Sequence, residues 1–130
     1  MLLTGALLWS LNTVCLAEAL YYEARGEDFD SQLLVAEVVL NRTKDAEYPD
    51  TPCGVVYQEG QFSWSDDKPA KRETKAWAAA LALATRIQLG QEPLLGTEAV
   101  AFHSGNRPKN FGNFELLGKV GNHKFYTKGN

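Results

Sequence analysis

Apolar residues recur at helical spacing over three stretches of the chain, and then the rhythm is lost. From Leu11 to Ala24, residues Leu16, Ala19, Leu20 and Glu23 fall on one face, and Gly26 follows, where a glycine commonly ends a helix. Ser31 to about Lys44 reads as a second helix, with Asp28 or Asp30 available as N-cap. Leu33, Leu34, Val35, Val38, Val39 and Leu40 make most of its surface apolar, the mark of a centrally buried helix. Tyr48 to Trp64 is broken by Pro49, Pro52, Gly54 and Gly60; it predicts loops with one short helix or strand around Val55 to Gln58. A long helix is expected from about Ala70 to Leu89, closed by Gly90. Trp77, Ala80, Leu81, Leu83, Ala84 and Ile87 supply its core face, and its alanine-rich run favours helix. Beyond Pro93, Gly and Asn become frequent, and only Ala99–Phe102 and Lys124–Tyr126 suggest short strands or extended edges. No internal repeat is present. The pattern predicts a mostly α (α+β) single domain spanning residues 1–130, with a loop-rich C-terminal third.

Composition adds boundaries to this picture. A length of 130 residues suits one domain, and 45% hydrophobic with 22% charged residues is a globular balance. The formal charge of −3 argues against a nucleic-acid partner, which calls for a basic face. Met1 to Leu11 is largely apolar but lacks the basic residues that precede a signal-peptide core, and is too short for a membrane span. Residues 1–13 are read either as a helical start to the domain or as a targeting remnant. Cys15 and Cys53 are too few for a disulfide scaffold and lie outside any Cys-x-x-Cys motif. One bridge, in an oxidising compartment, and two buried thiols remain equally open readings.

The first candidate for chemistry is Glu23, in the run Glu23-Ala-Arg-Gly-Glu27 after Tyr21 and Tyr22. A carboxyl on a helical stripe with Leu16, Ala19 and Leu20 is partly desolvated, which raises its pKa, and the negative end of the helix dipole pushes the same way. Such an acid can protonate a glycosidic oxygen. The competing reading is an ordinary helix-end carboxylate paired with Arg25. Glycoside cleavage often uses a second carboxylate, for which Glu27, Asp28 and Glu37 are candidates; Glu37, if buried among Leu33, Leu34 and Leu40, needs a partner, and solvent or an arginine is expected to supply it. Tyr57-Gln-Glu-Gly-Gln-Phe-Ser-Trp64 mixes amides, a hydroxyl and aromatic rings in a glycine-punctuated loop, a kit suited to sugar, although for Phe62 and Trp64 taken singly anchoring the loop to the core is the favoured reading. The two histidines, His103 and His123, could orient substrate, shuttle protons or bind metal. No ligand spacing for metal is present, so no metal and no cofactor are expected. A Cys53–His123 nucleophile pair has no supporting context.

These same segments resemble the SleB-type cell wall hydrolase family, which includes spore-cortex lytic enzymes and related phage lysins. The resemblance runs from about Cys15 to Tyr126. It is carried by Cys15-Leu-Ala-Glu-Ala-Leu-Tyr-Tyr-Glu-Ala-Arg-Gly-Glu27, Val35-Ala-Glu-Val-Val-Leu-Asn-Arg42, Tyr48-Pro-Asp-Thr-Pro-Cys-Gly-Val-Val-Tyr-Gln58, Gln61-Phe-Ser63 and Gly121-Asn-His-Lys-Phe-Tyr126. Each is weak alone; five in this order are specific. The resemblance implies a lysozyme-like, mostly helical fold with a substrate groove. It implies lytic transglycosylation between N-acetylmuramic acid and N-acetylglucosamine, with Glu23 as acid/base and 1,6-anhydro ends as product. One carboxylate then suffices. Tyr57, Gln61, Phe62, Ser63, His103, His123 and Tyr126 are the expected substrate-binding residues. Relatives often carry Ala at the place of Glu37. Many also carry Gly-Ala-Thr-His-Tyr-His where this chain has Glu98-Ala-Val-Ala-Phe-His103; Val100 and Ala101 replace the Thr and first His, and a substrate contact from that Thr is not expected here.

The expected partner is peptidoglycan glycan strands, met in the periplasm or cell wall by a monomer without a stable membrane span. The short chain with no wall-binding domain fits a phage endolysin of a Gram-negative host, made in the host cytoplasm and released to the wall. Three rival readings remain. They are a muramidase-type hydrolase that activates water, a non-enzymatic peptidoglycan-binding module in which Glu23 only bonds sugar, and a metal-dependent peptide-cleaving lysin using His103 and His123.

Overall fold

Why the chain begins its helix where it does is settled by Thr4. The computed structural model describes residues 4–129, and in it the Thr4 hydroxyl accepts the Leu7 amide at 3.2 Å, a side-chain N-cap that starts α1 at Gly5 rather than Leu11. Helix α1 runs Gly5–Ala24. Residues 5–11 are exposed, whereas Cys15 to Tyr21 are buried without interruption, so the second half of α1 is the pillar of the core. Of the N-terminal segment read as helical start or targeting remnant, residues 1–3 lie outside the described residues and the rest is helix from Gly5 on.

Helix α2 (Phe29–Thr43) starts two residues before the expected Ser31; Asp28 stands at its N-cap but makes no side-chain capping bond. Leu33 to Val39 are all buried, as the dense apolar pattern requires. Short α3 (Pro52–Val56) is set by Thr51, whose hydroxyl accepts the Gly54 amide at 3.0 Å, with proline in the first turn. It lies slightly earlier than expected. A further short helix, α4 (Trp64–Asp67), falls where loop was expected, and α5 runs Thr74–Gln88. The expected start of α5 at Ala70 is four residues too early because α1 recruits that backbone: the Tyr22 hydroxyl donates to the Pro69 carbonyl, and the Glu73 amide donates to the Tyr21 hydroxyl at 3.1 Å.

The C-terminal third holds β1 (Ala101–His103), β2 (Glu115–Val120) and β3 (His123–Thr127), joined into one antiparallel sheet of order β1-β3-β2. β1 and β3 lie close to their expected positions, while β2 had no counterpart. It is an edge strand with most side chains exposed and a register shift between Leu116 and Gly118, so it carries no alternation to read. The mostly helical α+β class holds. Helix α1 packs against α2, α3 and α5, and α2 touches β1. One contiguous core joins these helices to Phe62, Trp64, Ala99 and Phe125.

Cys15 and Cys53 are bridged, with Cα atoms 5.1 Å apart, tying the pillar to α3. The reading of two free thiols is thereby set aside. The bridge closes a sequence separation of 38, and loop-closure entropy assigns it about 4 kcal/mol. Unfolding by denaturant with and without reductant should show a loss of that order; an unchanged midpoint would mean the bridge constrains nothing.

Candidate active site

Glu23 sits in the last turn of α1, half-buried. Its Oε1 accepts a hydrogen bond from the Trp64 indole N–H at 2.9 Å. Burial pushes the carboxyl above the usual range, and the indole bond opposes this only in part. The expected competitor, a pair with Arg25, does not form. Arg25 leaves the helix in an extended conformation. Its Nε lies 3.2 Å from Glu73, it donates to the Tyr21 carbonyl at 3.1 Å, and its guanidinium sits over the Tyr21 ring. Among the described residues Glu23 has no cationic partner.

The indole that holds Glu23 is itself clamped. Trp64 stacks on Tyr22 at 4.5 Å between centroids and packs beside Phe62 and Tyr57. Beneath this cluster lies Glu18, nearly inaccessible, with Lys68 Nζ at 2.9 Å, Lys71 Nζ at 3.1 Å and the Tyr57 hydroxyl donating at 2.7 Å. Burial pushes the Glu18 carboxyl up, yet Tyr57 and the two ammonium groups outweigh it and leave the pKa below the usual range. The anchoring reading of Phe62 and Trp64 is thus correct for their rings, and Trp64 uses its one polar atom on Glu23.

Glu23 opens onto a cleft of about 410 Å³ also lined by β1, β3 and the segment that joins β1 to β2. The cleft brings together Glu23, Gln61, Phe62, Ser63, His103 and His123 from the expected set. Tyr57 and Tyr126 stand outside it: Tyr57 is committed to Glu18, and Tyr126 is 3% exposed with its hydroxyl 2.8 Å from His103 Nε2. Residues not read from the sequence as functional also line the cleft, namely Arg42, Asp66, Phe102, Asn110 and Phe111. Arg42 is buried; its Nε donates to the Val100 carbonyl at 2.6 Å and its Nη1 to the Gln61 side chain at 3.1 Å. The detectable signal for Arg42 was a charge on the apolar α2. Asn110 and Phe111 lie in a three-residue 3₁₀ turn without periodicity.

The carboxylates proposed as partners of Glu23 are committed elsewhere. Glu37, 1% exposed, meets neither solvent nor arginine: its oxygens accept the Gly96 amide at 2.7 Å, the Thr97 amide at 2.9 Å and the Thr97 hydroxyl. With Asn41, which donates to the Thr97 and Ala99 carbonyls, it fixes the segment leading into β1. Asp28 is exposed at the α2 N-cap. Glu27 accepts the Asn122 amide at 3.1 Å and lies 3.3 Å from His123 Nδ1. Gly121 makes this approach feasible: its φ is +60°, and a Cβ there would come within 3.1 Å of Glu27 Oε2. The other acid in the cleft is Asp66. Cys53 is bridged, which removes the Cys53–His123 nucleophile pair. Among the described residues no group of three or more His, Cys, Asp or Glu side chains is arranged to hold a metal ion.

The sequence profile of the cell wall hydrolases matches residues 26–126. The chain belongs to the cell wall hydrolase family. Glu27, Arg42, His103 and His123 lie within the matched stretch, and Glu23 stands just before it. The spore cortex-lytic enzyme of Oceanobacillus iheyensis is 46% identical over 48 residues, covering 37% of this chain and 17% of that protein. The one from Halalkalibacterium halodurans is 37% identical over 65 residues, covering 44% of this chain and 20% of that protein. The matched stretch therefore spans at most a fifth of these relatives' length. Among solved structures, the catalytic domain of the Bacillus cereus SleB protein aligns with a TM-score of 0.63 at 26% identity, over 90% of this chain and 91% of that one. The catalytic domain of the germination-specific lytic transglycosylase SleB from Bacillus anthracis aligns with a TM-score of 0.67 at 25% identity, over 89% and 94%. The expected SleB-type fold is thus the one this cell wall hydrolase adopts.

Two predictions follow from the state of Glu23. Trp64→Phe removes the donor that favours the carboxylate, so the Glu23 pKa should rise further in a ¹³C-detected carboxyl titration; an unchanged or lower value would show that the indole bond does not hold it down. Because the folded-state pKa is raised, Glu23 supports folding below its unfolded pKa, and that support is lost as pH rises through the folded value. Glu23→Gln lacks this loss and should melt higher than wild type at neutral pH. An equal or lower melting temperature in a neutral-pH thermal scan would argue that the carboxyl is well solvated.

Proposed function

We propose that this cell wall hydrolase degrades peptidoglycan by cutting the bond between N-acetylmuramic acid and N-acetylglucosamine as a lytic transglycosylase, with Glu23 as acid and then base. The observation that carries the reading is the environment of Glu23: a desolvated carboxyl on a cleft wall, with no cation beside it among the described residues and one neutral donor on Oε1. Desolvation keeps the proton on until a glycosidic oxygen can take it. Once it is given, the Trp64 N–H stabilises the carboxylate left behind, and the indole, a donor only, keeps its own proton. The carboxylate then accepts the proton of the muramic acid 6-hydroxyl as O6 bonds to C1. The leaving sugar departs with the first proton, a 1,6-anhydro end forms, and no water is consumed. The likeness to a solved transglycosylase catalytic domain supports the same chemistry.

In this reading Gln61, Ser63 and His123 meet sugar hydroxyls and N-acetyl groups, while Phe62 and His103, whose ring nitrogens bond within the protein, shape the wall. Tyr57 and Tyr126 act through Glu18 and His103. The working site is the periplasm or cell wall, where the Cys15–Cys53 bridge is stable. Among the described residues no helix is long and apolar enough to cross a membrane. The same chemistry would serve a phage endolysin or a bacterial wall-remodelling enzyme. Hydrolysis is the second reading, favoured by one observation: Asp66 shares the cleft with Glu23 and could activate water.

The test is digestion of purified peptidoglycan followed by mass spectrometry of the soluble fragments. Wild type should release anhydro-muropeptides, and Glu23→Gln should fall by at least about 100-fold, since Gln keeps the size but cannot give a proton. Products heavier by one water would support hydrolysis and direct attention to Asp66. A folded Glu23→Gln as active as wild type would sink the assignment of the acid.

A further inference from the structure

The two histidines of the cleft differ in a way their sequence positions do not show. His103 has both ring nitrogens occupied within the protein: Nε2 lies 2.8 Å from the Tyr126 hydroxyl, and Nδ1 lies 3.3 Å from the Ser104 carbonyl. His123 has only one edge occupied. Its Nδ1 lies 3.3 Å from Glu27 Oε1 and 3.3 Å from Ser31 Oγ. Its Nε2 makes no hydrogen bond among the described residues, yet it is not one of the buried atoms left without a partner. The free edge therefore reaches the cleft that His123 lines.

A carboxylate oxygen can only accept. An unprotonated Nδ1 could accept from Ser31 Oγ but would still face the Glu27 carboxylate lone pair to lone pair at 3.3 Å, whereas a proton on Nδ1 makes the Glu27 contact attractive and leaves Ser31 Oγ as its acceptor. Glu27 is not free to swing away, because the Asn122 amide and side chain hold its oxygens at 3.1 and 3.4 Å and Gly121 packs against it. The ring is braced by Phe102 edge-on at 5.2 Å and by Phe125 at 6.0 Å. From this geometry we infer that Glu27 locks His123 in the Nδ1–H tautomer, so that Nε2 is a fixed acceptor for a hydroxyl group of the glycan in the cleft. The inference deepens the peptidoglycan reading and rests on it for the nature of the ligand. Glu27 is then a positioning residue, and His123 a substrate-binding one. This gives the second acid of the Glu23–Glu27 run a role distinct from that of the first.

An acceptor must be neutral, and the surroundings keep it so. Burial lowers the His123 pKa below the ordinary imidazole value; Glu27 opposes this and His103 adds to it. Ser31, Phe102 and Phe125 are uncharged neighbours, and Glu23, Arg42 and Asp66 are the other charged or titratable groups on the cleft walls. Binding through Nε2 should fail as pH drops through the His123 pKa, while proton donation by Glu23 fails as pH rises through its own.

Long-range ¹H–¹⁵N correlation spectra of the resting protein read the tautomer directly, with no substrate present. The expected result is Nδ1–H with an unprotonated Nε2, and a His123 titration that moves to lower pH in Glu27→Gln, because the carboxylate that supports the imidazolium is gone. An Nε2–H tautomer, or a titration that stays put in Glu27→Gln, overturns the inference. On peptidoglycan, wild-type kcat/KM should fall at both ends of the pH range and His123→Gln should lose the acid limb. An acid limb retained in folded His123→Gln also overturns it. Absence of any wild-type glycan cleavage would instead strike the functional reading and leave the tautomer result standing.

Discussion

The site turns on one contact, the indole N–H of Trp64 on the carboxyl of Glu23. Desolvation alone would make Glu23 a persistent acid; a strong ion pair would make it a persistent anion. A single neutral donor leaves the carboxyl between these limits, able to hold a proton and able to bear its loss. That balance depends on what is excluded as much as on what is present. Arg25, two residues away, is drawn off by Glu73 and the Tyr21 ring, and the nearby ammonium groups of Lys68 and Lys71 are drawn off by Glu18.

The segment from Tyr57 to Glu73 is consequently best understood as a strap across α1. Tyr21, Tyr22, Glu18, Glu23 and Arg25 hold it at several points, Glu18 alone at Tyr57, Lys68 and Lys71. Tyr21 and Tyr22 hold its backbone while Glu18, Glu23 and Arg25 hold its side chains, so the strap needs no regular structure of its own beyond one short helix. Its stiffness comes from a buried carboxylate with two cations and a stacked aromatic pair, a network in which removing one member leaves another group buried and unpaired.

Three helices and the class of the fold could be read from the chain because apolar periodicity reports burial, and α2 and α5 are buried on the faces their patterns mark. The errors fall where another force sets the boundary. Thr4 extends α1 through a cap, Tyr21 and Tyr22 delay α5 by taking its expected first backbone groups, and β2 hides because an exposed edge strand has no pattern. At the site, Glu23 was legible because it broke an apolar stripe with a carboxyl. Which partner it would choose was not, since Arg25 and Trp64 compete through three-dimensional reach rather than sequence distance. Tyr57 and Tyr126 looked like sugar ligands because a ring with a hydroxyl carries the same signature whether its partner is a glycan or a neighbouring Glu or His.

The strand order has its own consequence. β3, the last strand of the chain, lies between β1 and β2, which do not pair with each other. During synthesis the earlier strands emerge without a partner, and the helical half that carries Glu23 precedes them all. Only when β3 is made can the sheet close and bring His123 and His103 into the cleft with Glu23. Glu23 is thus made before the sheet that completes the cavity around it. Contacts of such long sequence separation also place sheet closure among the slower steps of folding.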